Sequence, residues 1–195
     1  MRREDEFYCQ LAKSIQAWLW VETEAYLLYA AIMDGANPHL VSVTFHSIES
    51  FEYKLVLIDS CLALIFTKAS EDRKNWRSLL NKAKKLNAKR NKIVHQPVKI
   101  GSSEGVESIE ISPSFFNAQA LTKGQTTYNG QVIGPDYKPS LAEIIDDHKI
   151  DLYKLYQYEK DFKNYAKELQ SYRKGITPAL RAAHESARAH TEKPP

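Results

Sequence analysis

Glycine and proline are scarce in this chain, seven and eight among 195 residues. That scarcity rules out collagen-like and low-complexity architectures, and 43% hydrophobic with 26% charged residues is a globular composition. Cysteine is nearly absent. Cys9 and Cys61 stand alone without metal-ligand spacing, so no disulfide framework or zinc module is encoded, and both are expected as buried thiols in a reducing compartment. A Gly-rich phosphate loop, a nucleophile elbow and a Cys-x-x-Cys pair are all missing, which removes the commonest phosphate-cradle, serine-hydrolase and dithiol chemistries. No long hydrophobic run occurs either. The most apolar stretch, Leu55 to Phe66, contains Asp59 and Ser60 and reads as a buried helix too short to span a bilayer. The start, Met1-Arg2-Arg3-Glu4-Asp5-Glu6, carries acids where a leader would carry its apolar core, so a soluble cytoplasmic protein without a membrane partner is expected.

What is present is helical periodicity. Phe7, Leu11, Ile15, Trp18, Ala25, Tyr29 and Ile32 recur at helical intervals and predict a first helix over 6–33. Trp18 and Trp20 lie two apart and cannot share a face, so one belongs to the core and the other to a rim. The breakers Asp34-Gly35-Ala36-Asn37-Pro38 end this helix. A second helix is predicted from His39 to Lys68 and a third from Arg73 to His95. The third carries Trp76, Leu79, Leu80, Ala83, Leu86, Ile93 and Val94 inward.

Residues 98–139 differ in character, holding five of the seven Gly and three of the eight Pro. Val106 to Ile111 alternates, and Asn129-Gly130 reads as a two-residue hairpin turn between strands. This is a small β-rich insertion on a single domain covering 1–195, too short for a core of its own. Helix returns at Ser140, where Ser140-Leu141-Ala142-Glu143 has capping-box spacing, and runs to about Arg173. Gly175 is expected to stop it. A weak C-terminal helix and tail over 176–195, begun by Thr177-Pro178, has little apolar face. The fold class is therefore all-α, a bundle of four to five helices with a β-hairpin insertion.

A net charge of +3 is too mild to name a polyanion binder, but its distribution is uneven. Between Lys68 and Lys92 ten Lys or Arg face only Glu71 and Asp72, leaving the remainder of the chain net acidic. Lys82, Lys85, Lys89 and Lys92 form a basic stripe that would attract RNA with a salt-sensitive contribution. The plain alternative is a solvated helix face.

The stripe leads into Arg90-Asn91-Lys92-Ile93-Val94-His95, the last turns of the third helix before Pro97. Arg90 is suited to hold the non-bridging oxygens of a phosphodiester and the extra charge of its transition state. His95 supplies a side chain of the type that takes a proton from a ribose 2′-hydroxyl or gives one to the leaving oxygen. Asn91 would orient either partner. Such chemistry uses a nucleophile internal to the substrate, so no metal or other cofactor is called for, and DNA would be spared. Arg90 and His95 are five apart, about 140° around an ideal helix. A usable pocket then needs a frayed helix end, a reaching arginine or a second copy of the helix across a two-fold axis.

The six residues from Arg90 to His95 resemble the signature of the HEPN superfamily: Arg, four to six residues, then His, with a polar residue directly after the Arg in its ribonuclease branches. The position late in a long helix, after two others, fits as well. The resemblance implies a HEPN-like bundle, a homodimer with the Arg and His of both protomers facing one cleft, and metal-independent endoribonuclease activity. Arg90 and His95 would be catalytic and Asn91 supporting. It further implies a toxin–antitoxin or anti-phage defence role, with an antitoxin or defence-system partner protein. Catalytically silent family members that bind or scaffold partners form the second reading. Among the other histidines, His46, His148, His184 and His190 lack the companions a metal or catalytic site needs.

Overall fold

The computed structural model describes residues 3–103, 106–112, 127–128, 131–132 and 149–191. Among them are five helices, α1 (Arg3–Ile32), α2 (Pro38–His46), α3 (Phe51–Ile65), α4 (Glu71–His95) and α5 (Leu152–Thr191). Four short strands complete the set: β1 (Val98–Ser103), β2 (Val106–Ile111), β3 (Thr127–Tyr128) and β4 (Gln131–Val132). The fold is mostly helical with a small antiparallel hairpin, as the periodicity requires. No described helix is long and apolar enough to cross a membrane.

Helix α1 is the spine. Its Phe7, Trp18, Val21, Ala25, Leu28, Tyr29 and Ile32 are buried, and each large side chain removed from water contributes about 1.5–3 kcal/mol. Trp18 is core at 2% exposure and Trp20 is rim at 50%, as their two-residue spacing demands. Helix α5 runs beside α1 in the same direction. Tyr156 meets Glu6, Glu159 meets Gln10, Arg173 meets Glu24 and His184 meets Ile32, so partner numbers rise together along both helices. Against α4 the same helix runs antiparallel, with Tyr172 donating to the Asp72 carbonyl, Tyr165 to that of Leu79, and Lys89 to Asp161.

Three expectations need correction. The single helix over 39–68 is two, broken between His46 and Phe51. Phe45 and Phe51 are both buried, yet on one continuous helix they would point about 120° apart. The break, where Ser47 Oγ donates to the Thr44 carbonyl and Ser50 takes the N-cap position, lets both enter one core. Gly175 does not stop α5, which continues as one helix through Pro178. Thr177 Oγ1 donates to the Arg173 carbonyl at 2.7 Å, and Ile176 and Leu180 on the next turn are buried at 1%. The segment expected to be weak is thus docked on α1, with the His184 ring 2.9 Å from the Ile32 carbonyl oxygen. Finally, Cys9 is exposed and only Cys61 is half-buried, where burial pushes its thiol pKa up. Smaller departures are Ile15 and Val94, expected inward and found exposed.

Backbone pairing ties the β segment to the bundle. β1 and β2 pair antiparallel from Val98↔Ile111 to Ser103↔Val106. Ile111 exchanges two backbone hydrogen bonds with Ile150, at 2.9 and 2.8 Å, just before α5 begins. Ile109 and Ile111 are buried, whereas Ile100, paired with Ile109 across the hairpin, stays exposed. β3 and β4 pair antiparallel as Thr127↔Val132 and Tyr128↔Gln131. The expected Asn129-Gly130 turn and the expected Ser140 capping box lie outside the described residues.

Candidate active site at the end of helix α4

Helix α4 begins at an N-cap, Ser70, whose side chain accepts from the Arg73 N–H, and places Glu71 and Asp72 at its positive end. At its other end Lys92 and His95 sit in the last turn, and the Gln96 N–H closes on the Lys92 carbonyl before Pro97. Its buried seam of Arg73, Trp76, Ala83, Leu86 and Ile93 fixes the helix rotation. That rotation decides where the polar residues point.

Arg90, Asn91 and His95 line one cleft of ≈ 270 Å³ together with Asn87 of the same helix. The remaining walls come from Glu22 of α1, from Glu49 and Ser50 in the break between α2 and α3, and from Phe51 at the start of α3. Arg90 is half-buried, whereas Asn91 and His95 are exposed. Arg90 Nη1 donates to Asn91 Oδ1 at 3.1 Å. Among the described residues no carboxylate forms an ion pair with this guanidinium. One chain therefore brings the three expected residues to one opening, although Arg90 and His95 sit on different sides of an ideal helix.

The two carboxylates in the cleft differ. Glu22 Oε1 accepts from the Trp18 indole N–H at 2.7 Å, and Oε2 pairs with Lys54 Nζ at 3.5 Å. Lys54 is itself buried at 7% exposure, with its ammonium 5.2 Å from the centroid of the Phe45 ring. Glu22 is thereby held from two sides. Glu49 is exposed and makes no hydrogen bond or ion pair among the described residues. Sequence reasoning missed Glu22, Glu49, Ser50, Phe51 and Asn87. Asn87 had a signal, since it lies one turn before Asn91, but the other four depend on the unforeseen break and on how α1 packs.

The basic stripe lies elsewhere on the helix. Lys82 Nζ pairs with Glu168 at 2.6 Å and Lys89 Nζ with Asp161 at 2.7 Å, both on α5. Lys89 also lies 5.1 Å from the centroid of the Tyr158 ring. Lys92 is partly buried, and desolvation, reinforced by nearby Lys154, lowers its pKa. Lys85 remains exposed. Lys89 and Asn91 are about 160° apart around the helix, so these lysines flank α5 and do not line the cleft. Exposed Lys84, seven residues before Asn91 and within about 20° of its line, is the basic residue on the cleft's side.

Chemically the cleft offers a guanidinium for anionic oxygens, an imidazole for proton transfer, two amides and two carboxylates. Among the described residues no group of three or more His, Cys, Asp or Glu side chains could hold a metal ion. No family model, curated protein or solved structure matches the chain.

Proposed function

We propose that this protein is a HEPN-like endoribonuclease that cleaves RNA by attack of a ribose 2′-hydroxyl on the adjacent phosphorus, without a divalent metal, in a toxin or anti-phage defence setting. The observation that carries the reading is the convergence of Arg90, Asn91 and His95 on one cleft. Arg90, unpaired with any described carboxylate, is available to a phosphodiester. Its hydrogen bond to Asn91 pre-orients the fork, which lowers the ordering cost when the anion arrives. His95, exposed at the mouth, reaches substrate protons without rearrangement of the core. Exposed Lys84, on the cleft's side of α4, would attract the flanking backbone.

The test is incubation of the purified chain with a mixed RNA pool in excess EDTA. Cleavage is expected in the wild type. Arg90→Ala and His95→Ala are each expected to lose at least about 100-fold, the usual contribution of one charge-stabilising or acid–base group, with unchanged thermal midpoints. A wild-type chain that binds RNA or protein partners yet leaves every RNA intact overturns the enzymatic reading in favour of a silent binding protein.

A further inference from the structure

Transphosphorylation through a 2′-hydroxyl moves two protons: one leaves O2′ as it attacks phosphorus, and one reaches O5′ as the P–O5′ bond breaks. One imidazole cannot serve both transfers at the same moment. A cleft holding only Arg90 and His95 would have no second acid–base side chain for a concerted pair of transfers. This cleft holds one. Glu49 lines it beside His95 and Arg90, stands exposed in the break between α2 and α3, and makes no hydrogen bond or ion pair among the described residues. Glu22 is unsuited to the same task, because its carboxylate is committed to the Trp18 indole and to Lys54.

We propose that Glu49 is the general base of the reaction and His95 the general acid, so that one chain carries a complete proton-transfer pair, with Arg90 in the same cleft for the charge of the transition state. This inference rests on the ribonuclease reading above. The Glu49 carboxylate takes the 2′-hydroxyl proton, O2′ bonds to phosphorus, and the P–O5′ bond breaks. The 5′-oxygen takes its proton from the His95 imidazolium, leaving a 2′,3′-cyclic phosphate and a 5′-hydroxyl. Glu49 ends protonated and His95 neutral, and exchange with water restores both. The break between α2 and α3 acquires a purpose in this scheme. On a continuous helix Glu49 would be fixed by the helix rotation, whereas in the connection it is set by the Ser47 and Ser50 ends on either side.

The experiment is a pH–rate profile of RNA cleavage in EDTA for the wild type, Glu49→Gln, Glu49→Asp and the exposed control Glu52→Gln. The wild type should give a bell, with its acid limb set by a carboxyl and its alkaline limb by an imidazole. Glu49→Gln should lower kcat at least about 100-fold and lose the acid limb. Its KM should not rise, since a negative charge has left a site that binds an anion. Glu49→Asp should recover part of the rate, and Glu52→Gln should match the wild type. Wild-type cleavage with Glu49→Gln within about threefold and the same bell would overturn the assignment of Glu49 alone, because a lost general base costs far more. A wild type that cleaves nothing would overturn the underlying function with it.

Discussion

Replacement of Asp59 by alanine removes the polar tie between α3 and α4. Asp59 Oδ1 accepts from Arg73 Nη1 at 2.5 Å and from the Trp76 indole N–H at 2.8 Å. Arg73 and Trp76 are both buried, at 6% and 0% exposure, and Arg73 Nε has no acceptor among the described residues. Without the carboxylate a buried guanidinium stands unpaired, a situation that costs about 3–5 kcal/mol. The Asp59 side chain is 34% exposed, so water partly replaces it and the lower end applies, about 3 kcal/mol. For a chain of this size that is a fall of about 6–12 °C in Tm. Asp59→Asn keeps an acceptor and should cost only about 1–1.5 kcal/mol. The pH dependence supplies a second reading. Desolvation raises the Asp59 pKa, but the hydrogen bonds from Arg73 and Trp76 and the nearby charges outweigh it and leave it lowered. A carboxyl lowered on folding stabilises above its unfolded pKa and loses that stabilisation as pH falls through its folded one. The gap between wild type and Asp59→Asn should therefore be full at neutral pH and narrow below about pH 4. Urea denaturation at both pH values measures it. A cost for Asp59→Ala below 1 kcal/mol, or a gap that widens in acid, would refute the reasoning.

Three further outcomes are expected. Gly35→Ala should destabilise by about 1–2 kcal/mol in urea titration, because Gly35 has φ 87°, a left-handed conformation that strains any side chain, and its added Cβ would also displace the end of Arg188; a neutral result would mean the turn after α1 is not held in that conformation. Pro178→Ala should raise the thermal midpoint, since it restores an N–H inside a continuous helix where proline costs up to about 3 kcal/mol; a lower midpoint would mean that Pro178 itself is needed for Ile176 and Leu180 to dock. Lys82→Ala with Lys89→Ala should change RNA cleavage less than Lys84→Ala at low salt, because the first two pair with Glu168 and Asp161 on α5; the reverse order would place the substrate along α5.

The helices that could be read from the sequence were those with one wide apolar stripe and chemically explicit ends. For α1 these were the Trp18-centred stripe and the breakers at Gly35 and Pro38, and for α4 Trp76, Leu86 and Ile93 ahead of Pro97. The α2–α3 break was hidden because His46 to Ser50 carries no glycine or proline. What breaks the helix there is a tertiary demand, two phenylalanines in one core. Gly175 and Pro178 misled in the opposite direction, since Ile176 and Leu180 pack tightly enough to outweigh two poor helix formers. Arg90, Asn91 and His95 were legible as a cluster, because they are close in sequence. Glu22 and Glu49 were not, because they arrive from α1 and from the hidden break. The lysine stripe was visible as charge, but its orientation toward Glu168 and Asp161 depends on the packing of α5.

The chemical identity of the RNA ends left by the wild-type chain tests the central claim most directly. Mass spectrometry of products formed in EDTA should find 2′,3′-cyclic phosphates paired with 5′-hydroxyls, and a DNA of the same sequence should remain whole. Products ending in 3′-hydroxyl and 5′-phosphate, or equal cleavage of the DNA, would contradict a reaction driven by the ribose 2′-hydroxyl at Arg90 and His95.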